Sequence, residues 1–335
     1  MKKTTKYVKI LRYYRNMEVY FMKIYIAPMA GVTDYTFRGI LSEYGPDMMF
    51  TEMVSINALE MKNDKTLNQL LRLRSGEAVQ IFGNDIDKII YSAKYIESLG
   101  VKHIDLNAGC PMPKITKNGY GAALLENPDL IKRILTAMRE ELKPETDISV
   151  KIRVGTKGVK RHIEIGKIAE ETGCKHITVH GRTREQLYTG KADWNLIKEV
   201  KEAVNIPVIG NGDIFTAEDA KERIELSGVD GIMLARGICG NPWLIRDIRE
   251  MLQFGEVKTE LSIDEKIDTA LKHVIMAEIN NPDKKFSYDL RKHLCWYVKG
   301  LKYATDIKNQ INHTESYEEI RKILEFAKEA NRDVE

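Results

Sequence analysis

The sequence predicts an α/β fold, a (β/α)₈ TIM barrel followed by a small C-terminal all-helical domain. Short β-rich runs alternate with longer amphipathic stretches along residues 23–250. Repeated βα units predict a parallel sheet, and eight of them predict a closed barrel. After the linker QFGEVKTELS, the apolar residues recur only at helical spacing. We therefore divide the chain into an extension (1–22), a barrel (23–250) and a helical domain (260–335).

The individual elements follow from hydrophobic periodicity. The predicted strands are, in chain order, KIYIAP, DMMFTEM, AVQIF, HIDLN, ISVKIRV, HITVH, IPVIG and GIMLA. The helices between them include IDKIIYSAKYIESLG, PDLIKRILTAMREEL, HIEIGKIAEETG, WNLIKEVKEAV and TAEDAKERIELSG, several of which end at a glycine. The helical domain contributes IDEKIDTALKHVIMAEI, SYDLRKHLCWYVKGL and SYEEIRKILEFAKEA.

Composition places the chain among soluble globular proteins. It has 335 residues, of which 43% are hydrophobic and 30% charged. No apolar stretch approaches the roughly 20 residues that cross a bilayer, and the N-terminus lacks a signal-peptide core, so we expect a cytoplasmic protein without membrane contact. The four cysteines lie far apart without a CxxC pair, which argues against disulfides and a structural metal site. A net charge of only +3 means that a polyanionic partner must meet a local basic patch.

The first 22 residues are basic and tyrosine-rich, and they end at an internal methionine, Met22, directly before the first strand. One interpretation is an arm that binds nucleic acid. The alternatives are sequence upstream of the true start codon or a short amphipathic helix, and we favour these.

Polar residues occupy the inward face of successive strand ends. Alternation along HIDLN, ISVKIRV and HITVH sends the aliphatic side chains toward the helices and turns the polar ones inward. The inward set includes His103, Asp105, Asn107, Lys151, Arg153, Thr178 and His180, and Gln80 joins it from AVQIF. An internal ion pair, for instance Asp105 with Lys151, could account for any one of these inward polar side chains taken alone. Burying the whole set costs several kcal/mol per unpartnered charge, so a bound polar ligand is the better explanation.

The loops after the last two strands predict a phosphate site. They read GNGDIFTAED and ARGICGNPW, and barrels commonly bind phosphate at these loops through backbone N–H groups. Gly210, Gly212 and Gly237 permit close approach, and Arg236 adds a cation. Flavin mononucleotide, pyridoxal phosphate and a sugar phosphate all satisfy this pattern.

Cys110 lies in the long loop NAGCPMPKITKNGYGAALL after the fourth strand. A thiol there acts as a nucleophile, as a proton donor or as an inert side chain. Lys114 and Lys117 follow it, and we expect these cations to lower its pKa. The other cysteines, Cys174, Cys239 and Cys295, fit the ordinary role of small buried hydrophobes.

At these residues the sequence resembles the tRNA-dihydrouridine synthases, and among them the bacterial branch called DusB-like. The resemblance covers about residues 23–330. Its motifs are IAPMAGVTDYTFR, TEMVS, VQIFG, IDLNAGCPMPKITKNGYGAAL, VKIRVG, TVHGRTREQLYTGKADW, PVIGNGDI, ARGICGNPW and RKHLCWYVKGL. The combination is far more specific than a single glycine motif.

The resemblance implies an enzyme that uses FMN and NADPH to reduce the C5–C6 double bond of particular uridines in tRNA. It implies hydride delivery from flavin N5 to C6 and a proton from Cys110 to C5. It also implies that the flavin ring and phosphate are held by Pro28, Met29, Ala30, Gln80, Lys151, His180, Asn211, Gly212, Asp213, Ala235 and Arg236.

Contacts with tRNA are predicted from residue chemistry. An amide such as Asn107 can both donate to and accept from the uracil imide, and Lys114 and Arg182 are candidates for the neighbouring phosphates. In the helical domain Arg291 and Lys292 are candidate phosphate contacts, whereas Trp296 is expected inside the domain core. We expect a monomer. Two rival functions are an FMN oxidoreductase of a small pyrimidine, in the manner of dihydroorotate dehydrogenases, and a non-catalytic RNA chaperone.

Overall fold

The computed structural model describes residues 22–64, 66–281 and 288–332, so all of the predicted extension except Met22 lies outside the described residues. The strands are β1 (Lys23–Ile26), β2 (Met48–Met49), β3 (Val54–Ser55), β4 (Val79–Phe82), β5 (His103–Ala108), β6 (Asp147–Thr156), β7 (Val159–Lys160), β8 (His176–Thr183), β9 (Val208–Asn211) and β10 (Gly231–Leu234). They form one sheet in the order β2-β1-β10-β9-β8-β6-β5-β4-β3, with every pair on this path parallel.

The second predicted strand is split in the structure. β2 pairs with β1, Phe50 bridges Ala78, and β3 pairs with β4. The segment therefore changes its hydrogen-bonding partner from β1 to the chain before β4 near Phe50. The Phe50 N–H donates to the Ile26 carbonyl, and the next N–H, that of Thr51, donates to the Ala78 carbonyl. A bent segment therefore closes the barrel where a continuous strand was predicted.

A small hairpin extends β6 beyond its predicted end. β7 pairs antiparallel with the last residues of β6 across a two-residue loop, Lys157 and Gly158. Both loop residues have positive φ angles, of 50° and 76°. Such angles are typical of a tight turn that matches the twist of its two strands.

Helices cover the outside of the barrel. They are α1 (Tyr35–Ser42), α2 (Ile56–Glu60), α3 (Ile86–Ser98), α4 (Pro113–Thr116), α5 (Pro128–Glu141), α6 (His162–Glu171), α7 (Trp194–Ala203), α8 (Ala217–Ser227) and α9 (Leu244–Phe254). Side-chain caps set several of their starts. Asp85 begins α3, and Thr216 with Asp219 forms a capping box on α8, which ends at Gly228 in the left-handed conformation.

The C-terminal part is helical. It contains α10 (Ile263–Asn280), α11 (Tyr288–Tyr297), α12 (Ala304–His313) and α13 (Tyr317–Arg332), of which α12 had not been singled out from the sequence. These helices bury an apolar core of their own, and Trp243 from the end of the barrel packs into it. A closed parallel barrel followed by helices confirms the predicted fold class. Within the described residues no helix is long and apolar enough to cross a membrane.

Aromatic and polar contacts join the two parts along one seam. Phe37 of α1 stacks on His273 of α10 with ring centroids 5.5 Å apart. His293 of α11 lies within hydrogen-bonding distance of the Val32 carbonyl at 3.1 Å, and Lys292 donates to the Gly31 carbonyl at 3.0 Å. The loop between β1 and α1 is therefore held directly by the helical part.

Candidate active site

A cavity of about 500 Å³, which we call the mouth cavity, opens at the carboxyl ends of the barrel strands. It is lined by every residue that the sequence predicts to hold the flavin, together with Asn107 and Cys110. The predicted flavin residues are Pro28, Met29, Ala30, Gln80, Lys151, His180, Asn211, Gly212, Asp213, Ala235 and Arg236. The structure brings these residues to one place, and the role of each one stays a prediction.

Cys110 lies half-buried in this cavity, and a side-chain oxygen holds its loop by accepting from two backbone N–H groups. The Asn107 side-chain oxygen accepts from the N–H groups of Gly109 at 3.1 Å and Cys110 at 2.9 Å. Burial raises the pKa of the Cys110 thiol, against smaller lowering effects from Met112 N–H and from Arg153 and Lys151. The expectation that Lys114 and Lys117 lower this pKa is therefore wrong. At neutral pH the thiol keeps its proton.

Lys151 is a half-buried cation that lines the cavity. Its ammonium donates to the Asn211 side-chain oxygen at 3.1 Å, and the Asn211 amide donates in turn to the Met233 carbonyl at 2.7 Å. Burial lowers the pKa of Lys151 to about 8. Burial also lowers the pKa of His180 well below its usual value, so its imidazole is neutral at pH 7. This group offers one charge and one neutral ring to a ligand.

A buried ion pair supports the opposite wall. Arg182 donates from two nitrogens to the two carboxylate oxygens of Asp213, both at 2.8 Å, and also to the Thr189 and Gly190 carbonyls. Burial alone would raise the pKa of Asp213, but the hydrogen bonds from Arg182 and the Ala192 N–H outweigh it and lower the pKa. Arg182 was predicted to contact tRNA phosphates, but the residue is only 1% exposed. Its guanidinium is occupied by the ion pair with Asp213 inside the protein.

Arg236 remains open to the cavity. Its side chain is 43% exposed, and it donates to Asp213 at 3.3 Å. Its guanidinium lies 5.0 Å from the Tyr188 ring centroid and 5.6 Å from that of Phe215. Nearby, a side chain at Gly237 would place its Cβ 2.1 Å from the Ile214 carbonyl oxygen, so only glycine fits this turn.

Arg153, Tyr188 and Trp296 line the cavity without a site role predicted from the sequence. Arg153 donates to the Gly109 carbonyl at 3.0 Å and to the Thr183 carbonyl at 2.7 Å, so it ties the Cys110 loop to β8. Its signal was present, because it shares the inward face of ISVKIRV with Lys151. The expectation that Trp296 packs inside the helical core is wrong, because α11 directs it to the barrel mouth.

A second cavity of about 620 Å³, the seam cavity, lies between the barrel and the helical part. Lys114 lines it with the carboxyl groups of Asp34, Glu52 and Asp289. The structure places the other predicted tRNA cations in internal contacts. Lys292 pairs with Asp289 at 2.6 Å. Arg291 donates to the Thr314 carbonyl at 2.7 Å.

The chain matches a known protein family over both of its parts. The family model described as dihydrouridine synthase (Dus) matches residues 25–333, which include both the barrel and the helical part. The chain belongs to the dihydrouridine synthase family. Members of this family are oxidoreductases, because dihydrouridine is uridine with two hydrogen atoms added across a double bond.

Individual relatives of this dihydrouridine synthase match over most of their length. The chain is 38% identical over 282 residues to tRNA-dihydrouridine synthase B of Pasteurella multocida, covering 83% of this chain and 84% of that protein. It is 39% identical over 294 residues to a probable tRNA-dihydrouridine synthase of Rickettsia conorii, covering 86% and 88%. The resemblance inferred from the motifs is thereby confirmed.

Solved structures share the fold at low identity. A 2-naphthoyl-CoA reductase matches with a TM-score of 0.57 and 12% identity, over 70% of this chain and 51% of that one. Histamine dehydrogenase from Rhizobium sp. 4-9 matches with a TM-score of 0.52 and 15% identity, over 76% and 49%. The dihydrouridine synthase chain thus spans about half the length of each, and these likenesses show the fold alone.

Proposed function

We propose that this dihydrouridine synthase reduces the C5–C6 double bond of specific uridines in tRNA, with FMN as the bound cofactor and NADPH as the reductant. The relatives named above support tRNA as the substrate. The observation that carries the proposal is the mouth cavity, where a protonated thiol, buried amides and cations surround one space of about 500 Å³.

The residues of this cavity fit FMN. Gln80, Lys151 and His180 offer hydrogen bonds to the edge of a planar ring, and Met29 supplies an apolar wall. Arg236 offers the exposed cation that a phosphate needs. Asp213 does not contact the phosphate in this proposal, because a carboxylate repels a phosphate that it faces directly. It contributes by forming ion pairs that hold Arg182 and Arg236 in place.

The chemistry that FMN supplies when bound is hydride transfer, from NADPH to the flavin and from flavin N5 to C6 of the uracil. Cys110 holds the matching proton on Sγ and donates it to C5. Its raised pKa keeps the thiol protonated at neutral pH, as a general acid requires. Hydride and proton together convert the C5–C6 double bond to a single bond, and the thiolate regains a proton from solvent.

Asn107 is the residue that we propose to read the uracil edge. One hydrogen of its amide faces Gln80, and its oxygen already accepts from two N–H groups of the Cys110 loop, so Asn107 meets the uracil by donating its second amide hydrogen to a carbonyl. A paired or stacked base reaches this depth only after it leaves the stack, at a cost of a few kcal/mol. Lys114 at the seam cavity is well placed to meet the backbone of such an extruded nucleotide.

Several further assignments belong to this proposal. They are the preference for NADPH, a monomeric state, a cytoplasmic location, and tRNA binding by the helical residues 260–335. The contacts across the seam support a joint function of the two parts, because α11 holds the loop that carries Met29 and Ala30. Deleting the helices would remove Trp296 from the cavity wall, so point variants test the tRNA function more cleanly.

The test is mass spectrometry of tRNA from cells whose dihydrouridine is made by this chain alone. The cells carry the wild-type chain, Cys110→Ala or the control Cys295→Ala. In tRNA from the Cys110→Ala cells, we expect one or more uridines to lack the two added hydrogen atoms and their mass. The purified variant should keep the flavin absorption band. The control changes a thiol in the helical part and should keep the modification. Unchanged dihydrouridine in Cys110→Ala, or a wild-type protein without flavin, contradicts the proposal.

A further inference from the structure

A continuous chain of hydrogen-bonded side chains runs through the barrel interior toward Cys110. It begins at His103, whose Nε2 lies 2.8 Å from the Ser149 hydroxyl, and Ser149 donates to Asp105 at 2.5 Å. The Gln80 amide donates to the other Asp105 oxygen at 2.7 Å. The Asn107 amide donates to the Gln80 oxygen at 2.7 Å.

The donor and acceptor at each link follow from Asp105. Its side chain is buried, with the residue only 1% exposed, and an ionised carboxylate only accepts hydrogen bonds. Gln80 must therefore turn its NH₂ group toward Asp105 and its oxygen toward Asn107. Asn107 must then turn its NH₂ group toward Gln80 and its oxygen toward the Cys110 loop. A flip of either amide would oppose two donors or two acceptors.

The far end of the chain is the Cys110 loop. The Asn107 oxygen accepts from the N–H groups of Gly109 and Cys110, so a flipped Asn107 would release both. Side-chain amides do not pass protons readily, so this arrangement orients groups and does not conduct protons.

We propose that Asp105 is a positioning residue that sets the orientation of the Gln80 and Asn107 amides, and through them the Cys110 loop, for the flavin and the uracil. This inference rests on the proposed function, because the flavin and the base are what the two amides would meet. Burial raises the pKa of Asp105 to about 6, against smaller lowering by Ser149 and Gln80. The carboxylate is therefore ionised at neutral pH, as the acceptor role requires.

The test compares Asp105→Leu with Asp105→Asn in the full chain. Leucine removes both acceptors, whereas asparagine can still accept from Gln80 and donate to Ser149. We expect Asp105→Leu to weaken FMN binding at least about tenfold in a fluorescence titration, the effect of losing a hydrogen bond to a charged group. It should lower kcat while leaving the KM for tRNA unchanged. Asp105→Asn should stay within about threefold of wild type for both quantities.

Ser149→Ala is the matched control. It removes the other hydrogen bond of Asp105, the one that points away from the cavity. Because loss of this hydrogen bond raises the pKa of Asp105 further, FMN binding is compared at pH 8, where it should equal that of wild type. Equal losses in Asp105→Asn and Asp105→Leu would show that charge and not acceptor geometry matters, which overturns the inference. Wild-type behaviour of Asp105→Leu would overturn it as well.

A second pair of variants covers the case in which Asp105→Leu does not fold. Gln80→Glu alone places two carboxylates face to face and should weaken FMN binding. Adding Asp105→Asn restores one donor between them, so the double variant should recover about tenfold in affinity. A double variant no better than Gln80→Glu contradicts the inference.

The outcomes for the inference and for the proposed function are distinct. A wild-type chain that neither binds FMN nor makes dihydrouridine overturns the proposed function and this inference with it. A wild-type chain that does both, beside an unaffected Asp105→Leu, overturns the inference alone.

Discussion

The two sides of the mouth cavity are built from different chemistry. On the amide side, formed by Gln80, Asp105 and Asn107 of β4 and β5, one buried carboxylate orders two neutral amides. On the arginine side, formed by Arg182, Asp213 and Arg236 of β8 and the loops after β9 and β10, two guanidinium groups share one carboxylate.

The difference separates two kinds of recognition. Hydrogen bonds from an ordered amide depend on direction, so they discriminate between the edges of a ring. A guanidinium held by a carboxylate keeps its place and presents positive charge, which suits a phosphate. The two sides should therefore respond differently to substitution, and Cys110 between them should respond in a third way.

The largest effect is expected for Cys110→Ala. Removing a general acid lowers kcat by about 10²–10⁴-fold, while neither side of the cavity changes. Single-turnover reduction of unmodified tRNA by the purified protein measures the loss, and the flavin spectrum is the control. A variant that keeps more than half of wild-type activity would show that the proton comes from elsewhere.

Arg182→Ala should have the next largest effect, on folding. Removing the buried Arg182 leaves the partly buried Asp213 with Arg236 as its remaining cation and leaves the Thr189 and Gly190 carbonyls without their donor. Loss of one partner of such a pair costs about 3 kcal/mol of unfolding free energy. The matched control is Arg184→Ala, because Arg184 pairs with Glu126 where both side chains are about a quarter to a third exposed. That pair should contribute no more than about 1 kcal/mol. Denaturant unfolding measures both, and equal losses would contradict the importance of the buried pair.

The two carboxylates should respond to pH with opposite signs. The pKa of Asp105 is raised to about 6, so its stabilising contribution is present at low pH and is lost as pH rises from about 4 to 6. The lowered pKa of Asp213 makes its contribution present above its ordinary pKa and lost on acidification below it. The free energy of unfolding of Asp105→Asn, relative to that of wild type, should therefore rise by about 1–3 kcal/mol between pH 4.5 and pH 7. Denaturation midpoints at the two pH values check this, and a difference independent of pH would contradict it.

The smallest effect is expected outside both sides. Lys114→Ala should raise the KM for tRNA by about two- to fivefold and leave kcat unchanged. The slope of log affinity against log salt concentration should fall by about one, which corresponds to one lost phosphate contact. Lys117→Ala is the control, because Lys117 is exposed but does not line the seam cavity. A fall in kcat for Lys114→Ala would place this side chain nearer to the chemistry.

Sequence periodicity predicted most of this arrangement. The alternation in HIDLN and ISVKIRV placed Asn107 and Lys151 on one face, and the glycine loops marked Gly212 and Arg236. These signals are local, because strand geometry turns every second residue inward. The βα order likewise predicted the barrel.

The remaining features depend on contacts between distant segments. Arg182 meets Asp213 only because β8 and β9 are neighbours in the closed sheet, so a residue expected on the surface is buried. Trp296 reaches the mouth because α11 packs against the loop that follows β1. The break near Phe50 arises because one segment must bond to β1 and β4 in succession. No local pattern contains this information.

The most direct test of the division between the two sides is a comparison of FMN with riboflavin, which lacks the phosphate. Dissociation constants are measured for the wild-type chain, Arg236→Ala and Gln80→Leu. The account predicts that Arg236→Ala weakens FMN binding by about tenfold or more and leaves riboflavin binding unchanged, whereas Gln80→Leu weakens both equally. Equal weakening of FMN and riboflavin by Arg236→Ala would contradict it.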